Sequence, residues 1–95
     1  MPGGLSTDLY ELTMAAGYHA AGRMPRASFE LFVRALPPTR GYLVAAGLEQ
    51  ALEYLGSWRF TAEDVAYLRT VPALAGAGPA FFDEYLSRLR FTGDV

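Results

Sequence analysis

The stretch TDLYELTMAAGYHAA, residues Thr7–Ala21, is where the local fold can first be read from this chain. Asp8 and, three residues later, Glu11 have the spacing of a helix N-cap and its reciprocal carboxylate. Apolar residues recur at helical spacing on more than one face, so we expect this helix to pack on two sides. Gly22 follows directly and suits a left-handed C-cap. The pattern predicts a helix over about residues 7–21.

The next segment changes from helical spacing to a period of two residues. In Ala27–Val33 every second residue is apolar, and the segment contains aromatic and β-branched side chains, which is typical of a β-strand. Pro37–Gly41 has the composition of a turn, and the apolar run Tyr42–Ala45 follows it. These signals predict a short β-hairpin.

The spacing of apolar residues in the remainder of the chain predicts several short helices. Gly47 opens a second predicted helix with apolar residues at helical spacing, which ends at Gly56. Thr61 and Asp64 repeat the capping signal before a short helix that Pro72 stops. The small-residue segment Ala73–Gly78 reads as a linker rather than a phosphate-binding loop, because no predicted strand precedes it.

Pro79 suits the first turn of a last helical piece. Three apolar side chains line one face of it, and an aromatic pair adds to them: Phe82, Leu86 and Leu89, with Phe81 meeting Tyr85. Together these patterns predict the α+β class, with N-terminal helices and a short β-hairpin in one region spanning residues 1–95.

Composition excludes several functional classes. The formal net charge is −2, with scattered arginines, so the chain lacks the basic footprint of a nucleic-acid binder. Cysteine and lysine are absent, which excludes thiol nucleophiles, zinc–thiolate sites, Schiff-base lysines and the phosphate-loop lysine. No apolar run approaches the roughly 20 residues of a membrane-spanning helix, and no secretory signal opens the sequence. We therefore expect a cytoplasmic protein that contacts neither nucleic acid nor membrane.

Few side chains suggest chemistry. Tyr10, in the first predicted helical turn, could stack on an aromatic ligand, or it could be a core tyrosine. Asp8 could contact the same ligand or only cap the helix. Arg34 could bind phosphate or pair with Glu30 on the surface. His19, the only histidine, has no evident acid–base partner and reads as structural. No catalytic residue and no metal site is predicted.

Several motifs, in order, resemble the nicotinate phosphoribosyltransferases. The opening signature is TDLYELTMAAGY, residues 7–18, and the resemblance extends over nearly the whole chain from Leu5. The other matching motifs are Phe29–Arg34, Gly41-Tyr42, Ala46–Gln50, Arg59–Thr61, Glu63-Asp64, Tyr67-Leu68 and Phe91–Val95. Pro37–Arg40 departs from the glycine-rich turn of many relatives.

This resemblance implies a function and roles for three residues. Family members make nicotinate mononucleotide from nicotinate and phosphoribosyl pyrophosphate, driven by ATP hydrolysis with Mg²⁺, in NAD salvage. Tyr10 is similar to the tyrosine that stacks on the pyridine ring at a site shared across a homodimer. Asp8 is similar to an aspartate near that ring, and Arg34 to an arginine that reaches the phosphates across the interface.

The family members are much longer, because an α/β barrel supplies the phosphohistidine and most substrate contacts. We therefore expect an N-terminal fragment that packs beside such a barrel, is inactive alone and binds no cofactor itself. The alternative is a non-catalytic remnant that acts as a protein-binding module through the surface a barrel would cover. A free-standing nucleotide-binding module ranks last, since both a phosphate loop and a basic groove are missing.

Overall fold

The computed structural model describes residues 3–95. It contains three α-helices: α1 (Leu9–Ala20), α2 (Leu48–Ser57) and α3 (Ala62–Leu68). Shorter turns follow: a 3₁₀ turn over Pro72–Leu74, a π-helical turn over Phe81–Tyr85 and a 3₁₀ turn over Leu86–Arg88. No helix in this described part of the chain is long and apolar enough to span a membrane.

Both predicted ends of α1 are confirmed. Asp8 is the N-cap residue, with extended backbone, and its N–H donates to the Glu11 carboxylate at 3.2 Å. At the other end Gly22 has φ +67°, which a residue without a Cβ adopts without strain. The Gly22 N–H donates to the His19 carbonyl at 3.1 Å and the Arg23 N–H to the Tyr18 carbonyl at 2.9 Å. These two bonds form a Schellman motif, which ends the helix.

The predicted β-hairpin is wrong, and with it the α+β class. Residues 23–47 form an irregular segment, and residues 3–95 contain no β-strand. Only the turn is present, where the Arg40 N–H donates to the Pro37 carbonyl at 3.0 Å. The alternating side chains contact no core, since Phe29 is 93% and Leu31 103% exposed. Alternation describes which face of a strand could be covered, but a strand forms only against a partner backbone.

Helix α2 forms where expected but packs poorly. It begins after Gly47, whose φ of +100° favours glycine, and it ends at Ser57, one residue beyond the predicted end. None of its residues is buried, and Leu48 and Leu52 are 64% and 48% exposed. Its apolar stripe therefore contributes little to the stability of this chain.

The hydrophobic core joins α1 to the C-terminal half of the chain. Its buried members are Leu12, Phe60, Val65, Leu68, Leu74, Phe81, Phe82 and Leu86. Helix α1 contacts the 3₁₀ turn at Pro72–Leu74 and the π-helical turn, while α3 contacts the last 3₁₀ turn. Since residues 23–57 contribute no buried side chain, the molecule is elongated, with a radius of gyration of 16.3 Å. A compact chain of this length would have about 12 Å.

The last predicted helix, after Pro79, makes the predicted contacts but is not an α-helix. Phe82 and Leu86 are buried and Leu89 packs against the core, as the spacing predicted. The Phe81 and Tyr85 rings stack with centroids 5.6 Å apart. The backbone, however, takes a wider π-helical turn over Phe81–Tyr85, in which Phe81 and Phe82 are both buried although they are consecutive.

Replacing Leu86 by alanine tests the core. Its side chain is 0% exposed, so we expect Leu86→Ala to lower the free energy of unfolding by about 2–5 kcal/mol. Leu31→Ala is the matched control, and because Leu31 is fully exposed its effect should stay within about 0.5 kcal/mol. Urea unfolding, followed by the fluorescence of Trp58, the single tryptophan, measures both. Equal losses in the two variants would contradict this core.

Thr61 tests the cap of α3. The Asp64 N–H donates to the Thr61 hydroxyl at 3.1 Å, and the Thr61 N–H donates to the Asp64 carboxylate at 2.8 Å. We expect Thr61→Ala to cost about 0.5–2 kcal/mol in the free energy of unfolding, because one capping bond is lost. Thr39→Ala, in the exposed turn, is the control and should change little in the same urea titration. An unchanged midpoint for Thr61→Ala would show that the cap contributes nothing.

Candidate functional site

Tyr10 lies on the surface of the first turn of α1. Its side chain is 60% exposed, and its carbonyl accepts a hydrogen bond from the Thr13 hydroxyl at 2.9 Å. The sequence left a core tyrosine open as the alternative, and the exposure excludes that role in this chain. An exposed ring on an ordered helical turn can offer one face to a flat ligand.

Asp8 lies two residues earlier, at the N-cap. It forms a capping box with Glu11, in which the Asp8 carboxylate faces the Glu11 N–H and the Asp8 N–H donates to the Glu11 carboxylate at 3.2 Å. The Glu11 carboxylate also accepts a hydrogen bond from the Thr7 hydroxyl. Asp8 therefore caps the helix, and because its exposed carboxylate has two oxygens it can also accept a hydrogen bond from a ligand.

Arg34 lies apart from that turn, in the irregular segment 23–47. Its side chain is exposed, and the ion pair in the described part of the chain joins Arg69 to Asp83 instead. The surface pair with Glu30, left open by the sequence, is therefore not formed between these residues. No hydrogen bond or ion pair within residues 3–95 connects Arg34 to Asp8 or Tyr10. The structure brings Asp8 and Tyr10 together on one turn but does not bring Arg34 to them.

His19, expected to be structural, lies half-buried in an aromatic cluster. Its ring centroid is 5.3 Å from that of Tyr85 and 5.8 Å from that of Phe81. These contacts hold the C-terminal end of α1 against the π-helical turn.

Burial raises the pKa of the Tyr85 phenol. The contribution of Tyr85 to the free energy of unfolding is therefore fully present below the ordinary tyrosine pKa, and it declines as the pH rises through the pKa of the folded state.

The structure has two surface grooves among the described residues, and neither is lined by Asp8, Tyr10 or Arg34. One, of about 1210 Å³, lies between residues 24–29, Leu55 and residues 91–95. The other, of about 370 Å³, lies beside Phe60, the Arg69–Asp83 pair and Ser87. Residues 3–95 contain no cluster of three or more histidine, cysteine, aspartate or glutamate side chains suited to a metal ion. The Mg²⁺ and ATP that the resemblance implies for the longer family members stay predictions.

Sequence reasoning missed one residue near the start of α1. Gly4 is buried against the ring of Phe60, and its N–H donates to the Arg59 carbonyl at 2.9 Å. A Gly-Gly pair at a chain terminus carries no signal that distinguishes a close contact from a flexible end.

Comparison with known proteins assigns the family. The model of the nicotinate phosphoribosyltransferase N-terminal domain matches residues 5–95. A nicotinate phosphoribosyltransferase of Mycobacterium tuberculosis is 49% identical over 96 residues, which cover 98% of this chain and 19% of the relative. That of Homo sapiens is 42% identical over 80 residues, covering 83% and 15%, and that of Bacillus subtilis 50% over 66 residues, covering 68% and 14%.

This chain thus spans at most about a fifth of the length of these relatives. No solved structure matches it significantly. The family model covers nearly the whole chain, and three distant organisms supply relatives at 42–50% identity. The chain belongs to the family of nicotinate phosphoribosyltransferase N-terminal domains.

Proposed function

We propose that this chain supplies the N-terminal part of an active site that joins nicotinate to phosphoribosyl pyrophosphate, forming nicotinate mononucleotide for NAD biosynthesis. The observation that carries the proposal is the exposed ring of Tyr10 on the ordered first turn of α1, in a chain of this family. Coupling to ATP hydrolysis, a shared site in a homodimer and a cytoplasmic location remain predictions from the resemblance.

Tyr10 and Asp8 form the pyridine-binding part of the proposed site. The Tyr10 ring stacks on the flat pyridine of nicotinate, an arrangement that aromatic pairs favour. The Asp8 carboxylate lies on the same turn and can accept a hydrogen bond from a donor near that ring. Nicotinate is itself an anion, so Asp8 faces the ring or the ribose hydroxyls rather than the nicotinate carboxylate.

Arg34 binds phosphate in this proposal. Its guanidinium is permanently charged, exposed and free of an ion pair among residues 3–95, and it matches phosphate oxygens with two parallel donors. No contact joins Arg34 to Tyr10 within the described chain. Both side chains can therefore contact substrates in one active site only if another part of the enzyme, or a second subunit, positions residues 23–47.

A second function, that of a protein-binding module without catalysis, is favoured by one observation. Several large apolar side chains in residues 29–48 are more than half exposed: Phe29, Leu31, Phe32, Val33, Tyr42, Val44 and Leu48. Such a surface attracts a partner whether or not the chain takes part in catalysis. The two functions differ in whether Tyr10 and Arg34 affect turnover.

A chimera tests the proposed function through Tyr10. Residues 1–95 replace the corresponding segment of the M. tuberculosis enzyme, and formation of nicotinate mononucleotide is measured. We expect an active chimera in which Tyr10→Ala weakens nicotinate binding by about 1–3 kcal/mol, or about 5- to 150-fold, through lost stacking. Tyr10→Phe keeps the ring and should bind nicotinate nearly normally.

Tyr67→Ala is the matched control, since Tyr67 is 59% exposed but lies on α3. An active chimera whose nicotinate affinity is unchanged by Tyr10→Ala would overturn the stacking role. A folded but inactive chimera, with capture of an intact enzyme subunit by the isolated chain, would favour the protein-binding module.

Arg34 is tested in the same chimera. We expect Arg34→Ala to raise the KM for phosphoribosyl pyrophosphate by about 10- to 100-fold, because a charge-assisted pair with phosphate is lost. Arg34→Lys should recover only part of that loss, since a lysine cannot donate two parallel bonds. The control is Arg40→Ala, in the exposed turn, which should leave this KM unchanged. An equal rise in both alanine variants would reduce the effect to general surface charge.

A further inference from the structure

The N-terminal segment before α1 lies against the segment before α3. The Gly4 N–H donates to the Arg59 carbonyl at 2.9 Å, and the Ser6 N–H donates to the Gly3 carbonyl at 3.0 Å. The chain therefore turns immediately after the contact with Arg59 and enters the first turn of α1. This contact joins the start of α1 to a part of the chain more than fifty residues away.

The contact leaves no room for a side chain at residue 4. A Cβ built on Gly4 would lie 2.5 Å from Cδ1 and 2.6 Å from Cε1 of the Phe60 ring, far inside van der Waals contact. Gly4 is not among the described glycines with positive φ, so the requirement is for space rather than for a left-handed backbone. The backbone of residue 4 lies directly on the aromatic ring.

The Phe60 ring cannot easily move aside. It is 4% exposed, belongs to the core and meets Trp58 edge-on with ring centroids 5.1 Å apart. A close-packed ring resists displacement, because a shift opens voids on its other side. A side chain added at residue 4 would therefore push the N-terminal segment outward rather than displace Phe60.

We propose that Gly4 is a positioning residue: its close contact with Phe60 sets where the first turn of α1, and with it Tyr10, lies relative to the core. The path from Gly4 to this turn is short and hydrogen-bonded, since Thr7 and the Asp8 N–H both donate to the Glu11 carboxylate. An outward shift at residue 4 is transmitted to the Tyr10 ring. This inference rests on the proposed function, in which Tyr10 binds nicotinate.

The chimera described above tests the inference with three variants. Gly4→Ala should raise the KM for nicotinate by about 5- to 100-fold, because a displacement near 1 Å misaligns a binding group, while the KM for phosphoribosyl pyrophosphate stays near normal. Gly4→Ala combined with Phe60→Leu should recover most of the nicotinate KM, since the smaller side chain makes room for the added methyl group. Gly76→Ala, where the added Cβ meets nothing within 4 Å, is the control.

Amide hydrogen exchange on the isolated chain gives a readout independent of catalysis. We expect Gly4→Ala to accelerate exchange at residue 4 and at Glu11, whose N–H donates to the Asp8 carbonyl, and the Phe60→Leu double variant to restore protection. A rise in both KM values, or no rescue by Phe60→Leu, would mean that Gly4 acts only on general stability and would overturn the proposal.

The failure of the proposed function looks different. If the proposed function is wrong, Tyr10→Ala leaves the nicotinate KM unchanged. The positioning role of Gly4 in nicotinate binding is then overturned as well, even if Gly4→Ala still accelerates exchange. Unchanged exchange and unchanged KM in Gly4→Ala would refute the contact itself as a positioning element while leaving the role of Tyr10 intact.

Discussion

The burial of Phe81 is the contact on which the rest of the described structure depends. Phe81 is 1% exposed, stacks on Tyr85, meets Phe82 edge-on and contacts His19 at the end of α1. This one ring therefore joins the first helix to the last helical turns. Aromatic pairs of this kind stabilise beyond their buried area, and they fix relative orientation as well. Without this cluster, the C-terminal end of α1 would lose its aromatic contacts with the last helical turns.

Residues 23–57 differ, because their apolar side chains have no packing partner among residues 3–95. Phe29 and Leu31 are exposed although they alternate as strand residues do, and α2 forms its helix without burying a residue. A helix satisfies its backbone hydrogen bonds internally, whereas a strand needs a neighbour. Helix α2 therefore forms without a packing partner, whereas the predicted hairpin does not form. Arg34 lies in the same segment, so no packing contact fixes its position relative to Tyr10.

The candidate site is accordingly divided. Asp8 and Tyr10 lie on an ordered helical turn that is tied to the core through Gly4 and through α1. Arg34 lies on a segment whose side chains are exposed. One half joined to the core and one unpartnered half fit a chain that spans about a fifth of its relatives and whose proposed chemistry draws on both parts.

The sequence by itself determined what is local. The capping pairs Asp8–Glu11 and Thr61–Asp64, the left-handed Gly22 and the apolar face of Phe82 and Leu86 depend on neighbours within a few residues, and all were predicted correctly. The motifs also indicated the family. Only the tertiary structure decided that the alternating segment lacks a partner strand within residues 3–95, that Tyr10 is exposed and that Gly4 lies on Phe60. Each of these depends on distant segments meeting in space, which no local spacing encodes.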